Sequence, residues 1–262
     1  MDDYNFENTI KNFPPVRFEA GHYNIEQEKF IRGLNLIKES LGEHAKTVYS
    51  SDNMICWNRN YGFLRDPFYS NIINDKEISL GDKSIVWRTY ILVYFAKICS
   101  KLVGDYLELG TYEGHTAQVI SEKIDFNRLE KNYILYDLFE WKEGDYHSPL
   151  DSLKNKNLYL EICKKFKKNK NIKIIKGRVP DTMEDTIPDQ IAFAHIDMNH
   201  WVPETAALEM ILPKMPIGGV IIFDDYGWYC YHSQKVALDP IAKKYGQEIL
   251  ELPTDQGILI KV

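Results

Sequence analysis

The sequence lacks several features that would mark a membrane, secreted or nucleic-acid-binding protein. Its four cysteines are widely spaced and form no C-x-x-C pair, which excludes a zinc ribbon and argues against a disulfide scaffold. The most apolar stretch, Ile85–Cys99, is interrupted by Arg88 and Lys97 and is shorter than the roughly 18 residues that a membrane span needs. A net charge of −6 argues against nucleic acid as the main partner.

The beginning of the sequence, Met1-Asp-Asp-Tyr-Asn, is acidic and polar, without the basic and apolar regions of a secretory signal. Widely spaced cysteines are typical of a reducing compartment. We therefore expect a cytoplasmic protein that binds neither nucleic acid nor membrane.

Residues 1–83 show no regular alternation of strands and helices, and we predict an N-terminal extension that acts as a cap, a lid or an oligomerisation segment. Apolar residues at helical spacing predict one amphipathic helix over residues 26–41. The aromatic passage Met54–Tyr69 fits two roles. Its rings pack on the rest of the protein or on a second subunit, or it forms a lid in which Arg59 or Arg65 reaches an anionic group. A homo-oligomer is expected.

Residues 84–262 alternate between strand and helix patterns, which predicts one α/β domain. Ser84 is expected to cap a helix that runs to about Lys101. Seven strands follow, and the last two are predicted to form a hairpin. The fold class is therefore α/β, a doubly wound, mostly parallel, seven-stranded Rossmann-like sheet with an antiparallel edge. The predicted strands are Tyr106–Leu109, Tyr133–Tyr136, Ile172–Lys176, Ile191–Ile196, Val220–Phe223, Glu248–Leu252 and Gly257–Lys261.

The first of these strands leads into a glycine turn with the pattern Glu108-x-Gly110-x-x-x-Gly114. Glycine allows a sharp turn and close approach of a ligand to the backbone, and the following helix N-terminus favours electron-rich ligand atoms. The pattern differs from the G-x-G-x-x-G fingerprint of pyrophosphate-binding turns. An acid with two glycines fits a nucleoside with a cationic amino-acid tail, which is S-adenosylmethionine. The candidate cofactor-binding residues here are Glu108, Gly110, Thr111, Tyr112, Gly114, His115 and Thr116.

Other predicted strands also end in acids, at the edge where α/β sheets bind ligands. Asp137 follows the second strand and is placed to accept hydrogen bonds from two ribose hydroxyls. Asp197, Asp224 and Asp225 form a second group, which would repel one another without a cation. Carboxylate oxygens favour Mg²⁺, Ca²⁺ or Mn²⁺ over zinc, unless these acids only cap helices or form outward salt bridges.

Two histidines flank Asp197. The His195-x-Asp197 pair is also found in iron-dependent oxygenases, but the alternating α/β pattern does not supply their fold, so His195 is expected in the core. His200 lies in the loop beyond the strand and has a side chain that titrates near neutrality. Either Asp197 or His200 can act as the general base, and the sequence does not decide between them.

With these motifs the chain resembles the class I S-adenosylmethionine-dependent methyltransferases, and more narrowly the macrocin O-methyltransferase (TylF-type) family, which methylates sugar hydroxyls. The resemblance covers roughly residues 84–262. It rests on segments 106–116, 136–140, 176–182, 194–197 and 216–227.

The resemblance implies a methyltransferase domain over 84–262 that transfers a methyl group to a hydroxyl of a nucleotide sugar, a glycoside or a polysaccharide precursor. Glu108 and Gly110 would line the methionine part of the cofactor and Asp137 its ribose. The segment Gly177, Arg178 and Val179 would border the adenine. Asp197, next to the cofactor, would hold Mg²⁺ with Asp224 and Asp225.

The chain departs from the family pattern at residue 199, where the family commonly has a second acid and this sequence has Asn199. The substrate side of the site is therefore expected to differ. Two alternatives stay open: a metal-dependent O-methyltransferase of a catechol-like molecule, and a non-catalytic binding protein on the same fold. The presence together of Glu108, Asp137, Asp197, Asp224 and Asp225 argues against the second.

Overall fold

In the computed structural model, the described residues are 26–41, 48–57, 59, 61–145, 153 and 155–262. The chain divides into two compact units, Met1–Tyr90 and Ile91–Val262. Residues 1–25, 42–47, 58 and 60 of the predicted N-terminal extension lie outside the described residues, as do residues 146–152 and 154.

The described part of the first unit is a set of short helices with one hairpin. The predicted amphipathic helix is confirmed, with Leu34 buried and Leu36 exposed on its opposite side. The sequence did not predict the hairpin or the two short helices that follow it, whereas the helix predicted to run to about Lys101 is confirmed. The elements are α1 (Gln27–Ser40), β1 (Val48–Ser51), β2 (Met54–Trp57), α2 (Pro67–Asn74), α3 (Leu80–Lys83) and α4 (Val86–Cys99), which continues into the second unit.

The hairpin turn places an acid at the start of α4. Asp52 and Asn53 both have positive φ, at 50° and 55°, which suits the two central residues of a tight hairpin turn. The Asp52 carboxylate accepts the backbone N–H of Trp87 at 3.2 Å and of Arg88 at 2.9 Å. Asp52 therefore caps α4, and the prediction that Ser84 caps it is wrong. The Ser84 hydroxyl donates to the Gly81 carbonyl instead.

The aromatic passage packs its rings together within the first unit. Tyr49 stacks on Tyr61 with ring centroids 5.2 Å apart, and Trp87 meets Tyr49 edge-on at 5.1 Å. Phe63 stacks on Tyr90 at 4.9 Å. Aromatic pairs of this kind stabilise a core by about 0.5–1.5 kcal/mol beyond the area they bury. Packing accounts for these rings, and the lid role of this segment stays a prediction.

The second unit contains a seven-stranded sheet with the order β5-β4-β3-β6-β7-β9-β8. The strands from β3 to β7 are parallel, while β9 runs antiparallel to both β7 and β8, which confirms the predicted sheet and its antiparallel edge. The strands are β3 (Asp105–Leu109), β4 (Tyr133–Asp137), β5 (Ile172–Lys176), β6 (Ile191–Ile196), β7 (Val220–Phe223), β8 (Leu250–Glu251) and β9 (Gly257–Ile260).

Helices connect the strands of this sheet and cover its faces. They are α5 (His115–Lys123), α6 (Phe126–Leu129), α7 (Leu158–Lys165), α8 (Trp201–Ile211) and α9 (His232–Lys244). Alternate strand residues such as Leu107, Ala194 and Phe223 form one core with residues of α8 and α9. Within the described ranges, no helix combines the length and apolarity needed to cross a membrane.

The opposite face of the sheet carries polar groups among aromatic rings. Tyr106 packs edge-on against Phe126 at 5.0 Å and donates its hydroxyl to the Ala96 carbonyl at 2.6 Å. Glu108 and His195 are paired in the register of β3 and β6, and both are buried. Ionisable groups are rarely buried unless they are paired. The partners of Glu108 and His195 belong to the site described below.

The capping acid of α4 predicts a pH-dependent contribution to stability. Burial raises the pKa of Asp52 from 3.8 to about 6, although the two backbone N–H groups and Arg88 oppose the shift. The folded state therefore binds more protons than the unfolded state between about pH 4 and pH 6. This stabilisation is present below the unfolded pKa and is lost as the pH rises through 6.

We expect the free energy of unfolding of the native protein, minus that of Asp52→Asn, to grow as the pH falls from 6.5 to 4. Urea denaturation at several pH values measures it. A constant difference across this range would contradict the assignment.

Candidate active site

A cleft opens at the carboxyl edge of the parallel strands, with about 840 Å³ of free space that includes its opening to solvent. This size suits a small-molecule ligand. Its walls come from the segments that follow β3, β4, β5 and β6, with Leu153 added. The lining residues are Gly110, Tyr112, Tyr136, Asp137, Leu138, Leu153, Gly177, Arg178, Val179, Asp197, Met198, Asn199 and Pro203.

The glycine turn after β3 packs directly against the backbone that follows β6. Gly110 has a φ of +93°, and a Cβ added there would lie 1.7 Å from the carbonyl oxygen of Asp197. The Asp197 N–H in turn donates to the Leu109 carbonyl at 2.8 Å. Only glycine fits, because the conformation and the missing side chain are both required.

The predicted ribose-binding acid holds the same turn. One Asp137 carboxylate oxygen accepts the Tyr112 N–H at 2.7 Å, and the other accepts the Phe139 N–H at 2.6 Å. Tyr112 and Phe139 have positive φ of 49° and 50°, a conformation that non-glycine residues seldom adopt. Two backbone N–H groups therefore fix the position of the Asp137 carboxylate on the cleft wall.

The segment after β5 forms the next wall. Gly177 has a φ of +151°, and a Cβ there would lie 2.2 Å from the Thr182 side chain. Arg178 donates from Nη2 to the Asp145 carboxylate at 2.6 Å, which ties the loop after β4 to this wall. Asp145 is nearly buried, whereas Arg178 is partly exposed, so the pair limits the opening of the cleft at this end.

Three carboxylates meet beside the cleft. Asp197, Asp224 and Asp225 each offer an oxygen, and these oxygens lie within 4.8 Å of one another. Asp224 and Asp225 are buried, and Asp197 is half-buried. Three negative charges at this spacing favour a cation, and their hard oxygen donors suit Mg²⁺ or a similar ion. The structure therefore brings together the three acids that the sequence grouped.

Two further side chains contact this cluster or its loop, and both follow Asp197 in sequence. The Asn199 amide donates to Asp197 and to Asp225. Glu204, on the first turn of α8, is buried and accepts the Met198 N–H at 3.3 Å and the Gln234 amide at 3.0 Å. Burial, followed by the charges of Asp197 and Asp225, raises the pKa of Glu204 well above its ordinary value.

A buried histidine links the acid cluster to the acid of the glycine motif. His195 lies 3.7 Å from a Glu108 oxygen through Nδ1 and 3.8 Å from an Asp224 oxygen through Nε2. These separations exceed hydrogen-bond range, so the contact is between charges. Burial lowers the pKa of His195, but the two carboxylates outweigh it and raise the pKa to about 10. The ring is therefore an imidazolium near neutral pH, and the expected core position of His195 is confirmed.

Glu108 is only 1% exposed and lies outside the cleft wall. Its Oε2 accepts the hydroxyl hydrogen of Tyr133 at 2.6 Å. Glu108 thus contacts Tyr133 and His195 and does not line the cleft itself.

His200 is the N-cap of α8. Its Nδ1 accepts the Val202 N–H at 3.2 Å, and its ring stacks on Trp201 with centroids 5.8 Å apart. Because Nδ1 is the acceptor, the neutral ring carries its proton on Nε2. His200 in this arrangement has no nitrogen ready to take a second proton from a substrate without giving up the cap.

The structure places most of the predicted cofactor residues around one cleft. The lining includes Gly110, Tyr112, Asp137, Gly177, Arg178, Val179 and Asp197. Five other candidates, all described, are not part of that wall: Glu108, Thr111, Gly114, His115 and Thr116. Sequence reasoning missed Glu204, a buried acid whose contacts come from distant segments, and the apolar wall residues Leu138, Leu153 and Met198.

Part of the second unit is similar to a known protein family. Residues 107–226 match the family model described as a methyltransferase domain, and this range includes the acid cluster and most of the residues that line the cleft. No protein of curated function matches the sequence.

Solved structures of methyltransferases share this fold. The O-methyltransferase NovP is 18% identical, with a TM-score of 0.55 over 68% of this chain and 80% of its own. CalS11, a TDP-rhamnose 3'-O-methyltransferase of calicheamicin biosynthesis, is 15% identical, with a TM-score of 0.50 over 76% and 93%. A putative caffeoyl-CoA O-methyltransferase from Staphylococcus aureus is 12% identical, with a TM-score of 0.51 over 90% and 99%. At these identities the likeness establishes the fold alone.

The contact between the glycine turn and Asp197 yields a test. We expect Gly110→Ala to lower the free energy of unfolding by more than 2 kcal/mol, the upper part of the range for a strained residue plus a clash. Gly144→Ala is the matched control, since Gly144 has a similar φ of +96° and nothing within 4 Å of an added Cβ. Chemical denaturation of both variants measures the difference, and equal losses would contradict the tight backbone contact.

Proposed function

We propose that the chain is an S-adenosylmethionine-dependent, Mg²⁺-assisted O-methyltransferase that acts on a hydroxyl of a sugar in a nucleotide sugar, a glycoside or a polysaccharide precursor. The observation that carries this proposal is that Asp197 belongs both to the wall of the cleft and to a cluster of three carboxylates. A nucleoside-sized space next to a cation site is what methyl transfer to a bound hydroxyl requires.

The cleft has the donors and surfaces that the cofactor needs. Asp137 lies on the cleft wall, where a carboxylate suits the ribose hydroxyls, and the apolar side chains of Leu138, Val179 and Met198 suit the faces of an adenine ring. The glycine turn brings backbone close to the ligand at Gly110. These residues fit S-adenosylmethionine, whose sulfonium supplies an electrophilic methyl group when bound.

The acid cluster has the donor set for a divalent cation. Asp197, Asp224 and Asp225 would hold it, and a cation there lowers the pKa of a coordinated hydroxyl. The protein's part in the reaction is then mainly positioning and proton removal, since a direct methyl transfer needs no covalent enzyme intermediate.

The base is Asp197 in this proposal. Asp197 lies both on the cleft wall and in the acid cluster, so its carboxylate is close to the place where cofactor and acceptor meet. His200 uses Nδ1 to cap α8, and its neutral ring has Nε2 protonated. Its remaining role is to orient Trp201 and the start of α8.

Aromatic side chains border the acceptor side. Trp201 begins α8 and is 42% exposed, and Tyr229, four residues beyond Asp225, is 90% exposed. The Trp228 N–H donates to the Asp225 carbonyl at 3.1 Å, which ties the Tyr229 segment to the cluster. Exposed rings beside a cation site suit the C–H face of a pyranose whose hydroxyls point to the metal. CalS11, of the same fold, acts on TDP-rhamnose, which supports a sugar acceptor here.

A second candidate is a metal-dependent O-methyltransferase of a catechol-like molecule. The observation in its favour is the position of His200 three residues beyond Asp197, the spacing of the base in methyltransferases of that type. Resemblance to the TylF-type family favours the sugar. Homo-oligomerisation and a cytoplasmic location stay predictions.

The cofactor assignment is tested by calorimetric titration with S-adenosylhomocysteine. We expect Asp137→Asn to weaken binding by about tenfold or more, because a hydrogen bond to a charged group contributes about 1.5–3 kcal/mol. Asp105→Asn is the control, since Asp105 also accepts two N–H groups but at the opposite end of β3. Equal affinity of Asp137→Asn and the native protein would refute the ribose role, and no binding to the native protein would refute the function.

The acceptor class is tested by S-adenosylhomocysteine formation with Mg²⁺ and a panel of nucleotide sugars, glycosides and catechols. We expect turnover with a saccharide, and a KM for it that rises about three- to tenfold in Trp201→Ala and in Tyr229→Ala through loss of ring stacking. Cofactor affinity should be unchanged. Tyr245→Ala is the control, because Tyr245 follows the far end of α9 and is also exposed. Faster turnover of catechols than of every saccharide would favour the second candidate.

A further inference from the structure

Asn199 bridges two of the three acids of the cluster. Its Nδ2 donates to Asp197 Oδ1 at 3.0 Å and to Asp225 Oδ2 at 2.8 Å. The residue has a φ of +54°, which asparagine tolerates better than most side chains. One amide thus joins the segment after β6 to the segment after β7.

These two hydrogen bonds oppose a repulsion. The carboxylates of Asp197, Asp224 and Asp225 lie within 4.8 Å of one another, and like charges at this distance disfavour the ionised forms. The two N–H hydrogens of Asn199 carry partial positive charge into the space between two of them. The amide therefore reduces the repulsion between these two carboxylates, as a bound cation would.

The other end of the same carboxamide has the opposite character. Its carbonyl oxygen is a hard, neutral ligand of the kind that Mg²⁺, Mn²⁺ and Ca²⁺ accept in proteins. Rotation by half a turn about the Cβ–Cγ bond exchanges the two ends while leaving the backbone in place. An aspartate at this position could not make the exchange, since it would only add a negative charge.

We propose that Asn199 is a two-state member of the metal site: its NH₂ group bridges Asp197 and Asp225 without a cation, and its Oδ1 becomes a ligand when a cation binds. This inference rests on the cation site of the proposed function. It explains how this chain keeps Asp197 and Asp225 adjacent before the cation arrives.

The alternative is that the amide only bridges the acids, and it predicts the opposite change in cation affinity when the amide is removed. If the amide only bridges the acids, a cation must displace it, and removal of the amide would tighten cation binding. If Asn199 gives its oxygen to the cation, removal of the amide weakens binding. Affinity for a cation alone, without activity, therefore separates the two.

The experiment is titration of the purified protein with Mn²⁺, in which the electron paramagnetic resonance signal of free Mn²⁺ reports binding. The variants are Asn199→Ala and Asn199→Asp. Asn132→Ala is the matched control, because the Asn132 amide donates to the Asp105 carboxylate at 2.9 Å, away from the cluster. Thermal unfolding in the presence of a chelator reports the state without cation.

We expect Mn²⁺ to bind Asn199→Ala about tenfold more weakly than the native protein, in the range for loss of a group that supports a metal site. Asn199→Asp should bind Mn²⁺ more tightly, yet both variants should unfold at lower temperature in chelator because the bridge is lost. Asn132→Ala should bind Mn²⁺ like the native protein.

Unchanged or tighter Mn²⁺ binding by Asn199→Ala would overturn the proposal. Absence of Mn²⁺ binding by the native protein would overturn it too, together with the cation in the proposed function. S-adenosylhomocysteine titration of the same preparations keeps that result separate from the methyltransferase assignment, which fails only if cofactor binding is also lost.

Discussion

The site depends on a backbone contact that leaves no room for a side chain. Gly110 approaches Asp197 so closely that an added Cβ would lie 1.7 Å from the Asp197 carbonyl oxygen, and the Asp197 N–H bonds the Leu109 carbonyl. The turn after β3 and the segment after β6 are thereby fixed as one wall. Because Asp197 also belongs to the acid cluster, this contact sets the position of the cluster relative to the cleft.

Several acidic side chains lie around this contact. Neighbouring groups reduce the electrostatic repulsion between them. His195 is held as an imidazolium between Glu108 and Asp224, and the Asn199 amide joins Asp197 to Asp225. A raised pKa keeps Glu204 neutral beside them. Such a set is stable as a whole, whereas a change in one member exposes the others to unpaired charge.

The sequence predicted those parts of the structure that depend on local pattern. The bounds of β5, β6 and β7 agree with prediction, because each is a short run rich in apolar residues that is followed directly by glycine or aspartate. It did not predict the capping of α4 by Asp52, which lies 35 residues before Trp87 in the chain. Nor did it predict Glu204, since nothing in a helical pattern shows that an acid of the first turn faces inward.

The cofactor side and the acceptor side of the proposed site depend on different features of the chain. A comparison of folds therefore informs on the first and not on the second. The cofactor side uses backbone conformation at Gly110 and Gly177, which the sheet itself enforces. In the proposed function, the acceptor side would use exposed side chains beyond the strand ends, such as Trp201 and Tyr229. Side chains outside the strands can change while the sheet stays the same, so proteins 12–18% identical to this chain can share its sheet without sharing its acceptor. The acceptor must therefore be found by measurement on this protein.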